Sequence, residues 1–395
     1  MPIIRSTGAV VTAQGLLGAP DFDPTYGFGV TELEACGAPS SIEEPDDFDA
    51  FWADVRRATR AVDPSPQVGA WRPWRYASGS PTTPGTGWSV EVGGGYEVAD
   101  LTYTSVGGQR IGGWIVRPVA GADQIAVCGH GYDGRAEPAC DDAAPSALCV
   151  YPVARGLPTR SVEPGIGREP GQRHHVIWGI EAPETYSVVW SAADFSVAAT
   201  VALELFEQWY GTDARGAGAS GGGPRMIYHG GSFGAGAGAL MLQIDDRFDG
   251  AVLGVPTFGN QGLRVTQECL GSGQVVREYW LAHPEALETL RYVDAASAAR
   301  RVRLPVVATP ALSDPVVPPP GQFSVVNSLA GPVWRHVLAG GHGEWTDFDP
   351  TRTSENPADW GMRERRPGDL GLGQPARPTP ARVDEFLRNP IPLSV

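Results

Sequence analysis

The sequence predicts an α/β protein with a mostly parallel central sheet and helices on both faces, and three observations point there. Short apolar runs recur at 125–128, 147–152, 251–256, 304–309 and 333–338, the pattern of strands buried on both faces. Helical stretches at about 186–210, 237–242 and 277–292 separate them, and strands alternating with helices build a parallel sheet. At 395 residues and 42% hydrophobic content, the chain is long enough to bury such a sheet.

Residues 1–45 carry many turn formers (Pro20, Asp21, Pro24, Gly27, Gly29) and read as an arm lying on the main body. A helix follows, with Asp46 or Asp47 as N-cap and Phe48, Phe51, Trp52 and Val55 at helical spacing. Residues 62–90 are rich in proline and tryptophan and read as loop. From Tyr96 the apolar residues alternate, turn at Gly107-Gly108, and resume through Ile111 to Val116, which predicts a β-hairpin. The run Ile125–Cys128 is a buried strand, followed by His130-Gly131-Tyr132-Asp133-Gly134. A second run, Ala147 to Pro152, leads into Arg155-Gly156, and 157–182 reads as loop. The helix from about Tyr186 to Tyr210 has Val197, Val201 and Leu205 four apart on one side. A glycine-rich linker spans Gly216 to Gly223. A last helix is expected near Ala381 to Leu387, so the chain divides into an arm (1–45), a main domain (46–345) and an extension (346–395).

The formal charge of -15 excludes nucleic acid and anionic membrane surfaces as partners, since both need a positive footprint. Every strong cation is arginine; the chain has no lysine. Five cysteines (Cys36, Cys128, Cys140, Cys149, Cys269) without a Cys-x-x-Cys pair suggest neither a disulfide framework nor a zinc ribbon. No apolar run reaches membrane-span length. The expectation is a soluble, cytoplasmic protein without metal or organic cofactor.

The chemistry centres on Tyr228-His229-Gly230-Gly231-Ser232-Phe233-Gly234, which contains Gly-x-Ser-x-Gly between a strand and a small-residue helix. That context strains the serine backbone, and glycine on either side avoids collision with neighbouring elements. Acyl transfer by serine also needs a base, an acid that orients it, and donors for the oxyanion. Asp314 follows the strand at 304–309 and His342 follows the last strand, giving the order nucleophile, acid, base, each at a strand's carboxyl end. The backbone N–H groups of Tyr132 and Phe233 are the candidate oxyanion donors. His130, Gly131, Arg155 and Pro256 are candidate pocket residues, with Arg155 read as an ion-pair anchor rather than a catalytic group.

Taken together, Asp47-Phe48-Asp49-Ala50-Phe51-Trp52, His130-Gly131-Tyr132-Asp133-Gly134-Arg135, Arg155-Gly156, Gly230-Gly231-Ser232-x-Gly234, Asp314-x-x-x-Pro318-Pro319 and His342 resemble the acetyl xylan esterase and cephalosporin C deacetylase family over roughly 46–345. The resemblance implies an α/β-hydrolase fold, a Ser232–Asp314–His342 triad, an oxyanion hole at Tyr132 and Phe233, and removal of a small acyl group from a sugar or similar alcohol. It also implies a homo-oligomer, often ring-like. Three departures bear on substrate: Phe233 stands where the family has Gln and is expected to make the pocket mouth more apolar. Arg-Gly-Gln-Gly becomes Arg155-Gly156-Leu157-Pro158, and His-Glu becomes His342-Gly343-Glu344.

The remaining polar residues read as structural: His174-His175 as solvated loop, His229 and His336 as strand residues, Glu344 and Asp347 as solvated rivals to Asp314. Two other functions stay open: an acyltransferase or lactone or thioester hydrolase of secondary metabolism with the same triad, and a non-catalytic binding protein on a hydrolase scaffold.

Overall fold

The computed structural model describes residues 22–74, 95–138, 146–211, 223–338, 341–342 and 380–388. The Gly216–Gly223 linker except Gly223, Cys140, Glu344, Asp347 and most of the 346–395 extension therefore lie outside the described residues.

Ten strands form one sheet: β1 (Gln67–Val68), β2 (Arg72–Trp74), β3 (Tyr96–Thr104), β4 (Arg110–Pro118), β5 (Gln124–Cys128), β6 (Ala147–Pro152), β7 (Arg225–Gly231), β8 (Gly250–Gly254), β9 (Val306–Thr309) and β10 (Val333–Arg335). Their order is β1-β3-β4-β6-β5-β7-β8-β9-β10, with β2 also on β3; β1 to β4 are antiparallel and β5 to β10 parallel. The stretch at 62–90 is thus not all loop, because 67–68 and 72–74 pair with β3. Local composition hides this: the hydrogen bonds that make a strand lie on its neighbour.

Helix α2 (Phe48–Arg60) starts where expected and buries Phe48, Trp52 and Val55. Before it, the arm carries the short α1 (Val30–Ala35), whose Leu33 packs with Phe323 and Val337. Helices α3 (Ser187–Tyr210) and α4 (Phe233–Leu242) pack on each other and over β5 to β8. Helix α3 does have the length and mean hydropathy (1.4) of a membrane span, contrary to the sequence expectation, but 78% of that window is buried inside the fold. It is a core helix. Next come α5 (Gln261–Arg264), α6 (Gly273–Ala282), α7 (Ala286–Tyr292), α8 (Ala295–Ala299) and α9 (Pro319–Ser328), so the expected helix at 277–292 is two helices, broken at His283-Pro284-Glu285.

Helix α10 (Pro380–Arg388) packs Val383, Phe386 and Leu387 on Ile227, Val307 and Trp334. Consecutive strand residues face opposite sides, and Tyr228 packs against α3 and α4 through Phe195 and Gly238. Helix α10 therefore covers the face of β7 opposite α3 and α4. Without it, that apolar cluster would lie open to water.

Candidate functional site

Ser232 is the turn between β7 and α4, with φ +56° and ψ -116°, a backbone shape that costs a non-glycine residue on the order of 1–3 kcal/mol. Its N–H donates to Gly254 O (2.8 Å), and its carbonyl accepts from Ala235, Gly236 and Thr257. The strain is therefore held from both α4 and the end of β8. The flanking glycines are required by contact. A Cβ on Gly230 would fall 2.5 Å from Gly234 O, and one on Gly234 would fall 2.8 Å from His130 N. The elbow and the loop after β5 are packed backbone to backbone. Ser232 itself is only half-buried, so solvent and solute reach it.

The loop after β5 is fixed by its side chains. His130 is buried; its Nδ1 donates to Gly131 O (2.6 Å) and its Nε2 accepts from Ala154 N–H (2.9 Å), the assignment these partners require. Burial pushes its pKa down to about 4, so the ring is neutral and holds the loop shape. Tyr132 Oη accepts from Val176 N–H (2.9 Å) while its ring packs on Phe233 and His175. Gly131 is exposed, with open space where a side chain would stand. Phe233 is the first residue of α4, so its N–H is one of the donors a helix leaves unpaired.

The Phe233 side chain does not line the mouth of the site, contrary to the sequence expectation. It is 1% exposed and enclosed by the rings of His130, Tyr132, His175 and Phe258. Helix geometry aims the first side chain of α4 back into the protein. The enclosing ring of His175 is likewise not solvated loop: it is buried, and burial pushes its pKa down to about 3. His174 is half-buried. Among the described residues, no group of three potential ligands could hold a metal ion.

Asp314 lies past the end of β9, wholly buried, and accepts four hydrogen bonds. Oδ1 takes the N–H groups of Val316 (2.8 Å) and Val317 (3.0 Å); Oδ2 takes Gln322 Nε2 (2.7 Å) and His342 Nδ1 (2.8 Å). The structure thus brings the two residues together across 28 positions of sequence. With Nδ1–H committed to the carboxylate, Nε2 is the nitrogen left to accept a proton. Sequence reasoning missed two supports of this acid. Gln322, on α9, also donates to Val317 O and accepts from Ala311 N–H, which locks its orientation. The arm supplies the other, since Asp314 N–H donates to Pro24 O (3.1 Å). No local signal marks either one.

Arg155 is the ion-pair anchor. Its Nε and Nη2 engage Asp194 of α3 at 3.0 and 2.6 Å, and Ser105 Oγ donates to the same carboxylate. That guanidinium is buried and committed, so it is not a free pocket group. Pro256 is buried just past β8. His229 stands half-buried within β7, and His336 N–H extends the β10 ladder to Ala308 O.

A family model described as acetyl xylan esterase matches residues 278–345, which include Asp314 and His342 but not Ser232. Among curated proteins, none matches this sequence. Among solved structures, the chain is similar to the acetyl xylan esterase from Paenibacillus sp. R4 (TM-score 0.62, 19% identity, covering 80% of this chain and 94% of that one). It is equally similar to acetyl xylan esterase 1 from Thermoanaerobacterium sp. JW/SL YS485 (TM-score 0.62, 21% identity, covering 84% and 96%). These structures share the fold of this chain, an α/β-hydrolase fold, and the acetyl xylan esterase model matches it over 278–345.

Proposed function

We propose that this chain is a serine carboxylesterase that removes a small acyl group, acetyl above all, from a sugar or other alcohol. One observation carries the reading: the hydrogen bond from His342 Nδ1 to the buried carboxylate of Asp314, at the strand edge that also bears the strained Ser232. The family match and the shared fold support an ester hydrolase acting on acetyl groups.

In this mechanism Ser232 Oγ attacks the ester carbonyl and His342 Nε2 takes its proton. Asp314 holds the ring and stabilises the imidazolium. The oxyanion accepts from the N–H groups of Phe233 and Tyr132, which two packed segments hold in place before substrate arrives. His342 then protonates the departing alcohol, leaving an acyl-serine, and in the second half activates the water that releases the acid.

The test is a panel of acetyl, butyryl and longer esters on wild type and Ser232→Ala, with mass analysis after a fluorophosphonate. Expected are preference for the short acyl chain, mass added at Ser232, and loss of about 10⁴-fold or more in kcat for the variant. A Ser232→Ala protein as active as wild type would overturn the assignment.

A further inference from the structure

Three arginines are buried in the described structure, and two have carboxylate partners: Arg155 with Asp194, and Arg225 with Asp384. Arg264, only 6% exposed, makes no ion pair with any described residue. Its hydrogen bond is to a neutral acceptor in its own helical turn, Gln261 Oε1 at 3.3 Å, and its Cζ lies 5.5 Å from the Phe258 ring centre. Asp294 is within electrostatic reach but already accepts from the N–H groups of Asn260, Gln261, Ala296 and Ser297. An arginine stays charged at any ordinary pH, and a buried charge without a counter-ion is costly. A ligand carboxylate would supply that partner.

The guanidinium lies in the packing next to the candidate site. On one side Phe258 packs against Phe233, the residue after the candidate nucleophile (5.7 Å). On the other, the guanidinium rests against the start of α6, where a Cβ on Gly273 would fall 2.9 Å from Nη2. The same 269–273 segment is tied to the acid's loop, since Leu270 N–H donates to Pro315 O at 2.7 Å. One turn along α6, Arg277 also makes no ion pair with a described residue, and its Nε is buried without a partner.

We propose that Arg264 is a specificity-determining residue that binds a carboxylate of the substrate, so that the preferred ester is an acylated alcohol bearing a negative charge. A planar guanidinium offers two parallel donors that match the two oxygens of a carboxylate. A single fixed charge in a chain of net charge -15 suits a singly charged group. The inference rests on the esterase reading for its kinetic arm only.

The experiment compares 3- and 4-acetoxybenzoate with their methyl esters, on wild type, Arg264→Gln and Arg264→Lys. Wild type is expected to favour at least one anion over its neutral ester by about tenfold in kcat/KM. In Arg264→Gln that preference ratio should fall about a hundredfold, through KM, with Arg264→Lys intermediate. A second readout needs no turnover: 3-hydroxybenzoate, but not 3-hydroxybenzamide, should raise the Tm of wild type, and Arg264→Gln should abolish the rise. An unchanged ratio in a folded variant overturns the proposal and leaves Arg264 as a structural cation; so does a wild type that prefers the neutral esters, even if no variant folds. A wild type that turns over no ester yet is stabilised by the hydroxybenzoate refutes the esterase reading and keeps the anion site.

Discussion

Replacing Asp314 by asparagine tests the candidate site with almost no change in shape. The carboxylate accepts from four donors, two per oxygen, and is wholly buried. An amide has one accepting oxygen and one NH2. If the oxygen stays on Val316 and Val317, the NH2 meets the donors of Gln322 and His342. If it turns, the NH2 meets two backbone N–H groups that cannot move away. The first arrangement is cheaper, because an imidazole can shift its proton. His342 Nδ1 then accepts, the proton goes to Nε2, and in the proposed mechanism the nitrogen that would take the Ser232 proton no longer acts as a base. Reversal of the tautomer is expected to cost about 10³–10⁴-fold in kcat/KM, or about 4–5.5 kcal/mol of transition-state stabilisation. Gln322 loses its acceptor as well, so stability should drop by about 1–3 kcal/mol. Acetyl ester hydrolysis at pH 8, fluorophosphonate labelling rate and Tm are the assays. A folded Asp314→Asn that keeps more than a tenth of wild-type kcat/KM would refute the reasoning.

Three further outcomes are expected. Gly234→Ala puts a Cβ 2.8 Å from His130 N and 2.9 Å from His130 O, a backbone collision that should cost about 1–3 kcal/mol and most esterase activity; an active variant of wild-type Tm would show the two segments are not rigidly packed. Arg155→Met strands Asp194, which is 0% exposed, and should destabilise by about 3–5 kcal/mol in denaturant titration, with a loss under 1 kcal/mol arguing against the anchor role. Finally, burial holds His130 at about 4 and His175 at about 3, below the ordinary value near 6.5. Below pH 6.5 the unfolded chain gains protons that these folded rings refuse. Stability is therefore full above that pH and falls on acidification, by about 1.4 kcal/mol per pH unit per ring, down to about pH 4 for His130 and 3 for His175. Unfolding free energies from pH 7.5 to 4 check this; His175→Phe should flatten the curve, and an unchanged slope would contradict it.

Much of the site's outline was readable before any coordinates. The elbow announced itself because strain at Ser232 and close packing at Gly230 and Gly234 demand particular residues at fixed spacing. Asp314 and His342 were readable because parallel strands deliver their carboxyl ends to one edge, so position in the chain stands in for position in space. The errors share a cause. His175, Phe233 and the strands at 67–74 were misjudged from local composition, while their surroundings come from residues far along the chain.

The chain by itself determined the α/β alternation, the strained serine turn and the placing of Ser232, Asp314 and His342 after successive strands, since periodicity, glycine spacing and strand ends are local properties written into neighbouring residues. Only the tertiary structure decided who partners whom. Gln322 and Pro24 hold Asp314, Asp194 neutralises Arg155, and Arg264 meets no described carboxylate. Such pairings depend on distances of a few ångströms between residues that stand from 8 to hundreds of positions apart. Burial makes each of them matter, because an interior charge or donor has no water to fall back on.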